Sequence, residues 1–243
     1  MLRCVLPPLP KDFLLSVVMP VFNEQETLRD IVAAVLAEPT NKELILVDDG
    51  SVDESRAILE ELAQRPNVTV ILREQNRGKG AALRVGFAAA RGDVIVVQDA
   101  DLEYDPADYG RLLVPIVRGD ADVVYGSRYL VDADEPDRER DSFYHYLGNR
   151  VLTFLSNLVT GLNLTDMETC YKCFRREALA GLHIRSERFT VEPEITAKLA
   201  RRDLRIWEVP IHYRGRKYAD GKKIGWRDGV AALWAIVRYR FRD

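Results

Sequence analysis

The sequence has few cysteines and no arrangement of them that suggests a disulfide framework. Only three of its 243 residues are cysteine, an odd number that fits a reducing compartment. Cys170 and Cys173 have the spacing of zinc and redox sites, but no second pair or nearby histidine completes a zinc set, and no helix start follows to activate a thiolate. We therefore expect two buried structural thiols.

Long apolar runs are also absent. No stretch of about 18 uninterrupted apolar residues occurs, and the N-terminus lacks the basic and then apolar layout of a signal peptide. The sequence predicts a cytoplasmic chain, or one peripheral to the cytoplasmic face of a membrane, that does not span the membrane itself. With 47% hydrophobic residues and no internal repeat, we expect one domain over residues 1–243.

Two common phosphate-binding motifs are missing. The segment Gly78-Lys79-Gly80 lacks the G-x-G-x-x-G spacing of dinucleotide-binding proteins, and the P-loop pattern G-x-x-x-x-G-K-[ST] does not occur. These absences weigh against a dinucleotide-binding oxidoreductase.

The charge that is present is unevenly distributed. Residues 201–243 carry 12 Lys and Arg against 5 Asp and Glu, whereas residues 1–200 carry 23 against 33. The basic end either holds an anion or forms a solvated basic helix. With a net charge of −3 for the whole chain, we expect no nucleic-acid partner.

Short apolar runs alternate with helical patterns through the first half of the chain. The runs predict strands at 15–19, 43–47, 68–72, 93–97 and 122–125, and the segments between them predict helices at 24–37, 53–64, 80–91 and 106–118. Near-continuous apolar strands that alternate with helices are typical of an α/β fold with a mostly parallel sheet and helices on both faces. Ligands bind such sheets at the carboxyl ends of the strands.

The second half is less regular. We predict a charged loop at 131–146, helices at 147–159 and 190–199, a strand at 204–213 and a basic loop at 214–223. A last helix at 226–241 has an apolar stripe at helical spacing, which we expect to pack on the core rather than on lipid. The stripe consists of Trp226, Val230, Leu233, Val237 and Phe241.

Polar residues cluster directly after five predicted strands. The segments are Pro20-Val21-Phe22-Asn23-Glu24, Asp48-Asp49-Gly50-Ser51, Asn76-Arg77-Gly78-Lys79-Gly80, Asp99-Ala100-Asp101-Leu102-Glu103 and Gly126-Ser127-Arg128. Each has a structural explanation of its own, since Asn23 or Ser51 can cap a helix, glycines can turn the chain and Arg128 can pair with a surface acid. Five such coincidences at one sheet edge indicate a binding site instead.

The acidic segment at 99–103 is the most informative of the five. In an extended backbone residues two apart point the same way, so Asp99, Asp101 and Glu103 can converge on one side of the strand end. A divalent cation such as Mg²⁺ or Mn²⁺ relieves the repulsion between carboxylates and also binds the oxygens of a diphosphate. The alternative is a solvated acidic strand end followed by a helix cap at Asp105.

Taken in order, the five segments resemble the motif set of family 2 glycosyltransferases with the GT-A fold. The resemblance is closer to the polyprenyl-phosphate branch, which includes dolichol-phosphate mannosyl- and glucosyltransferases, and it covers about residues 15–223. It implies a Rossmann-like, nucleotide-sugar-binding half at about 15–130 and an acceptor-binding half with amphipathic helices at about 131–243. The motifs are specific for the family but not for the sugar.

The resemblance also implies roles for single residues on the donor side. The nucleotide's base and ribose would contact Pro20, Phe22, Glu24, Val47 and Asp49, and the donor site would also include Lys79 and Ala100. Asp99 and Asp101 would hold the metal and the diphosphate. Glu103, where the branch often has Gln, would be a further metal ligand.

Positive charge is implied on the other side of the diphosphate. Arg128 resembles the family's arginine near the diphosphate, and Arg216 and Lys222 resemble the basic pair on a loop that closes over the phosphates. Lys223 adjoins Lys222, so either lysine can be the contact. Breaking a sugar–phosphate bond leaves a nucleoside diphosphate, and catalysis needs cations where that charge develops.

The segment at 166–172 resembles the family's acceptor loop. Asp166 or Glu168 can act as a base for a hydroxyl acceptor, whereas Lys172 can hold an acceptor phosphate. Asp166 can also simply cap the loop. A polyprenyl phosphate monoester is already anionic at neutral pH and needs little help from a base, but a hydroxyl needs one.

These features favour an inverting, metal-dependent transfer of a hexose from a GDP- or UDP-sugar to a polyprenyl phosphate, with Asp99, Asp101, Arg128 and Asp166 as the catalytic residues. An alternative keeps the donor site and uses a saccharide or another hydroxyl acceptor. A non-enzymatic nucleotide-sugar-binding subunit is disfavoured by the intact acids and Arg128. Because a polyprenyl acceptor lies in a bilayer, helix 147–159 and the C-terminal helix are candidates for peripheral contact with anionic membrane.

Overall fold

The fold was obtained as a computed structural model, which describes residues 6–130, 143–215 and 226–242. Its strands are β1 (Leu15–Val21), β2 (Lys42–Asp48), β3 (Val68–Leu72), β4 (Val94–Val97), β5 (Val123–Ser127), β6 (Lys172–Arg175) and β7 (Ile206–Pro210). Its helices are α1 (Leu28–Ala37), α2 (Ser55–Leu62), α3 (Lys79–Ala89), α4 (Tyr109–Val117), α5 (Phe143–Thr160), α6 (Arg176–Leu179), α7 (Val191–Leu199) and α8 (Trp226–Phe241). A short 3-10 helix, Pro106–Asp108, precedes α4, and Asp105 caps it.

The strands described here form one sheet in the order β3-β2-β1-β4-β6-β5-β7. Four of the strand pairings are parallel, and only β6 is antiparallel to its neighbours β4 and β5. The predicted mostly parallel α/β sheet is thus confirmed. Strand β6 was not predicted, because its four residues follow directly on the segment that resembles a loop.

The antiparallel strand determines which strand ends meet. Since β6 runs opposite to both β4 and β5, those two strands point the same way, and the carboxyl ends of β1 to β5 and β7 share one edge of the sheet. We call this edge the rim. Strand β6 starts at the rim with Lys172, which is paired with Tyr125. The acceptor loop therefore lies at the same edge as the five polar segments.

The core is built from the apolar strands, as their sequences predict. Every residue of β2 and β4 is buried, and α3 packs against β1 and β2 while α4 packs against β5, β6 and β7. Cys170 and Cys173 are buried free thiols, which confirms the structural role expected for them.

Helix α5 begins at Phe143 rather than at residue 147, so the predicted loop at 131–146 is wrong over its last four residues, and its part at 131–142 lies outside the described residues. Two further predicted boundaries are shifted because the rim uses backbone groups for other contacts. Helix α1 begins at Leu28 rather than at residue 24, since Asn23 has a φ of 55° and the Glu24 N–H donates to Ser55 Oγ at 2.9 Å. Strand β7 ends at Pro210 rather than at residue 213, since the His212 N–H donates to Asp108 Oδ2 at 2.5 Å instead of joining the sheet.

Helices α5 and α8 pack against each other, but α8 is turned differently from the prediction. Its core-facing residues are Ala232, Ala235, Ile236 and Tyr239, whereas Leu233, Val237 and Phe241 of the predicted stripe are exposed. The expected packing of that stripe on the core is therefore wrong, because the small alanines allow the closer approach to the core. The side chains of Trp226 and Val230 lie outside the described residues. Within the described ranges, no helix has both the length and the apolarity needed to cross a bilayer.

Candidate functional site

Hydrogen bonds link the polar segments of neighbouring strands along the rim. Thr27 Oγ1, in the turn after β1, donates to the carbonyl oxygen of Ala100 after β4 at 2.7 Å. Asp49, after β2, accepts the N–H of Gly78 before α3 at 2.5 Å. These bonds join the segment after β1 to that after β4, and the segment after β2 to that after β3. The topology places the segment after β5 at the same edge, so the predicted convergence of the strand ends is confirmed.

The residues expected to hold the base and ribose differ in exposure. Pro20, Phe22 and Glu24 are partly exposed, whereas Val47 and Asp49 are buried. The Asp49 carboxylate forms an ion pair with Arg73 and accepts the N–H of Arg77 at 3.2 Å. Burial raises the pKa of Asp49 above its ordinary value despite these contacts. Asp49 thus holds the loop that leads into α3, because it accepts the N–H groups of Arg77 and Gly78.

Asp99 is paired with a lysine rather than with the other acids of its segment. Lys79 Nζ lies 2.8 Å from Asp99 Oδ1 and 3.1 Å from Glu192 Oε1, on α7. Burial alone would lower the pKa of the Lys79 ammonium, but the charges of Asp99 and Glu192 hold that pKa well above its ordinary value. Lys79 therefore places a permanent positive charge at the first carboxylate of the Asp-x-Asp segment.

The Glu103 side chain and carbonyl group contact the chain that follows β7. Tyr213 Oη donates to Glu103 Oε2 at 3.1 Å, and the Arg214 N–H donates to the Glu103 carbonyl oxygen at 2.9 Å. Across the three described ranges, no group of three or more His, Cys, Asp and Glu side chains is placed to hold a metal ion. The expected three-carboxylate cluster is not formed, and Glu103 instead tethers the start of the basic loop.

Asp99 and Asp101 still suit a divalent cation. Mg²⁺ is commonly bound by one or two carboxylates together with substrate phosphates, and keeps water as its other ligands. The Asp99 side chain is 22% exposed at the rim, and both aspartates offer the hard oxygens that Mg²⁺ and Mn²⁺ prefer. These two residues fit a site that a diphosphate completes.

Arg128 is fixed by Asp166. Its Nε and Nη2 donate to the two Asp166 carboxylate oxygens at 2.7 and 2.8 Å, and Asn149 Nδ2 donates to the same carboxylate at 2.8 Å. Burial would raise the pKa of Asp166, but Arg128 and Asn149 outweigh it and lower that pKa below its ordinary value. The backbone N–H of Arg128 is a fourth donor, at 3.1 Å. An acid that is fully buried and held by four donors is poorly suited to proton transfer, so this geometry makes Asp166 the residue that positions Arg128.

The acceptor loop contains a second buried lysine and an unusual glutamate. Lys172 is fully buried; its Nζ pairs with Glu192 and donates to the Met167 carbonyl oxygen at 3.1 Å. It is therefore not placed to hold an acceptor phosphate in this state. Glu168 Oε1 is buried without a hydrogen-bond partner among the described residues, and burial together with the charge of Glu192 raises the pKa of Glu168 to about 7.

The rest of the predicted site is only partly described. Arg216, Lys222 and Lys223 lie outside the described residues. The chain leading to them is anchored beside Arg128, whose guanidinium lies 5.1 Å from the centre of the Tyr213 ring.

Sequence reasoning missed three residues that organise the site, and two of them left a signal. Glu192 has no basic residue one turn further along its helix, which indicates a partner elsewhere in the fold. Asn149 is a polar residue within an apolar helical pattern, which indicates a buried hydrogen bond. Tyr213 gave no such signal, because its contact with Glu103 joins residues far apart in the sequence.

Comparison with known proteins agrees with the motif pattern. The profile described as Glycosyl transferase family 2 matches residues 16–182. Undecaprenyl-phosphate 4-deoxy-4-formamido-L-arabinose transferase of Edwardsiella ictaluri is 32% identical over 213 residues, which are 85% of this chain and 62% of that protein. The corresponding transferase of Pseudomonas fluorescens is 31% identical and matches over 59% of its length. The chain thus spans about three fifths of these relatives.

Solved structures share the same architecture. Glucosyl-3-phosphoglycerate synthase from Mycobacterium tuberculosis in complex with UDP aligns with a TM-score of 0.69 at 22% identity, covering 93% of this chain and 80% of that one. The synthase in complex with Mn²⁺, UDP and glucosyl-3-phosphoglycerate aligns with a TM-score of 0.69 at 19% identity, covering 96% and 81%. At these identities the likeness establishes the fold, which confirms the predicted GT-A class.

Proposed function

The chain belongs to glycosyl transferase family 2, and from that premise we propose that it transfers a hexose from a nucleotide diphosphate sugar, a GDP- or UDP-sugar, to a polyprenyl phosphate with inversion at the sugar. The observation that supports this proposal is the shared edge of the sheet: Asp99 and Asp101 follow β4, Arg128 follows β5, and the carboxyl ends of both strands lie at the rim. A donor diphosphate bound there would share a divalent cation with the two aspartates. The Arg128 guanidinium would lie on the side of the leaving group.

The proposed chemistry depends on positive charge placed before the substrate arrives. Asp99 and Asp101 would hold Mg²⁺ or Mn²⁺, which supplies charge against the diphosphate when it is bound. The Asp166 carboxylate already fixes Arg128 in one orientation, so this cation needs no reorganisation as the leaving group becomes more negative. Lys79, which pairs with Asp99, adds a third positive charge on the donor side.

The proposed acceptor follows from the relatives and from the state of Asp166. The relatives quoted above are named for undecaprenyl phosphate, and a phosphate monoester attacks without a general base. Direct attack on the sugar by an acceptor oxygen is a single displacement and therefore inverts the sugar. The engagement of Asp166 by Arg128 is compatible with such an acceptor.

A hydroxyl acceptor, on a saccharide for example, remains the second candidate because of Glu168. A carboxyl group with a pKa near 7 is suited to accept a proton at neutral pH. Glu168 would be the base in that reaction, two residues from Asp166 in the same loop.

We further propose that α5 and α8 rest on an anionic bilayer, at the cytoplasmic face of a membrane. On α5, Leu147, Val151, Phe154 and Leu158 are exposed at spacings of 4, 3 and 4 residues. On α8, Trp234, Val237 and Phe241 are exposed, and the Arg238 guanidinium lies 4.6 Å from the centre of the Trp234 ring. Residues 146–160 and 231–242 contain no Asp or Glu but include Arg150, Arg238, Arg240 and Arg242. Apolar side chains beside arginines match the interface of an anionic membrane.

The decisive experiment is a donor and acceptor panel. The protein with Mn²⁺ or Mg²⁺ is incubated with GDP- and UDP-sugars, with and without a short polyprenyl phosphate, and released GDP or UDP is measured. We expect one nucleotide to be released, and only when the lipid phosphate and the metal are present. Release that is equally fast without the lipid would reject the polyprenyl acceptor, and release that needs a saccharide would favour the second candidate.

A further inference from the structure

A row of alternating charges runs beneath the rim from the donor side to the acceptor loop. Each group contacts the next, and the row crosses from the strand end of β4 through α3 and α7 to the start of β6. In order, its members are Asp99, Lys79, Glu192, Lys172 and the carbonyl oxygens of Met167 and Thr169.

Glu192 is the centre of this row. It is 5% exposed, and its two carboxylate oxygens are divided between two ammonium groups, Oε1 facing Lys79 and Oε2 facing Lys172. Buried polar networks of this kind are strongly coupled, because the low local dielectric makes each charge sensitive to its neighbours. A change in the position of Lys79 therefore alters the electrostatic interaction between Glu192 and Lys172.

We propose that Glu192 is a positioning residue that couples the donor site to the acceptor loop. A metal and diphosphate at Asp99 change the charge that Lys79 faces, and Lys79 then shifts relative to Glu192. Lys172 responds to this shift and transmits it to the two carbonyl groups on either side of Glu168. The acceptor loop then takes its working position after the donor has bound. This inference rests on the proposed function, since the donor ligand is the one proposed there.

Two backbone amides in the loop can report the coupling without any acceptor. The Met167 N–H donates to Thr153 Oγ1 at 3.1 Å, and the Cys170 N–H donates to Tyr104 Oη at 3.1 Å. Their hydrogen exchange requires local opening of the loop. We expect Mn²⁺ with UDP or GDP to change that exchange about tenfold in the wild-type protein, in the range of ordinary coupling between sites.

The test compares wild-type protein with Glu192→Gln, which keeps the side chain's size but removes its charge. Nucleotide binding is measured by calorimetry on the same samples. We expect the variant to bind the nucleotide yet to change loop exchange by less than about twofold. A variant that transmits the full change would overturn the inference, as would wild-type protein that binds nucleotide with no change in the loop.

Two further variants separate coupling from simple destabilisation. Glu194→Gln alters another buried glutamate of α7, which pairs with Lys198 at 2.8 Å, and should transmit the donor signal unchanged. Lys172→Met removes the last charged side chain of the row. It should abolish the change in loop hydrogen exchange, and it tests the inference even if Glu192→Gln does not fold. Failure of wild-type protein to bind either nucleotide would reject the proposed donor site together with this inference, whereas binding without transmission rejects the inference alone.

Discussion

Asp166 holds the Arg128 guanidinium through both of its carboxylate oxygens, and the first prediction concerns that pair. Asp166→Asn should lower turnover by about 10²-fold, because a mispositioned cation no longer meets the developing charge. It should also lower the free energy of unfolding by about 3–5 kcal/mol, as expected when one partner of a buried ion pair is lost. Steady-state kinetics and denaturant unfolding measure the two effects. Glu61→Gln, which breaks the exposed pair with Arg29, is the control and should change neither.

The acids of the 99–103 segment are predicted to differ in function. Asp101→Ala should abolish metal-dependent turnover while leaving the fold intact, because the metal would lose one of its two carboxylates. Glu103→Gln should retain metal dependence, since Glu103 contacts Tyr213. Turnover across a Mn²⁺ titration distinguishes the two variants. Equal loss of metal dependence in both would restore Glu103 as a ligand.

Glu168 should make the protein less stable as the pH rises. Its pKa is about 7 in the folded protein against an ordinary 4.5, so the folded state holds this proton more tightly than the unfolded state does. The resulting loss in the free energy of unfolding is absent below pH 4.5, grows between pH 4.5 and pH 7, and is complete above pH 7.

Glu168→Gln should therefore remove this decline, with a gain in melting temperature relative to wild type that is larger at pH 8 than at pH 5. Thermal unfolding at both values measures it. Glu60→Gln, on the exposed side of α2, should give no such difference. An equal effect of Glu168→Gln at both pH values would contradict the raised pKa.

At the scale of elements, the start of α3 fits closely against the segment that precedes α7. A Cβ at Gly80 would lie 2.2 Å from the Ser186 carbonyl oxygen, whereas a Cβ at Gly110 in α4 would meet no atom within 4 Å. Gly80→Ala should lower the free energy of unfolding by about 1–3 kcal/mol, because the added methyl group overpacks the junction. Gly110→Ala should be neutral or stabilise by about 0.5–1 kcal/mol, because alanine is the better helix former. Denaturant unfolding of the two variants measures the contrast, and equal costs would show that the junction can relax.

The elements also show what the sequence can and cannot predict. Strands β1, β2 and β4 were predictable because their apolar runs are nearly continuous. Strand β6 was not, since four residues that begin with a lysine carry no strand pattern. The buried lysine is tolerated because Glu192 and the Met167 and Thr169 carbonyl groups bind its ammonium. The polar segments of the site followed from parallel topology, but the partners of each acid did not. The pairing of Asp99 with Lys79, and of Arg128 with Asp166, depends on how distant elements meet.

For the whole molecule, the prediction concerns its attachment to membranes. In a flotation assay, the wild-type protein should rise with anionic vesicles and less so with neutral ones, and high salt should weaken binding by screening the arginines. The double variant Phe154→Ser/Trp234→Ser should bind less, because both exposed apolar side chains are lost. Trp207→Ser, an exposed tryptophan on β7, is the control. Wild-type protein that stays in the soluble fraction with and without anionic lipid would contradict the proposed surface.

The position of β6 also sets an order for the folding of the chain. Strands β1 to β4 can pair as soon as they leave the ribosome, but β5 reaches β4 only through β6, which is synthesised after α5. Pairing between strands so far apart in sequence is slow, and an open edge on β4 persists until it is complete. Nascent chains stalled within α5 should therefore carry an unfinished sheet, and the proposed donor and acceptor sites should form together, after the last central strand has inserted.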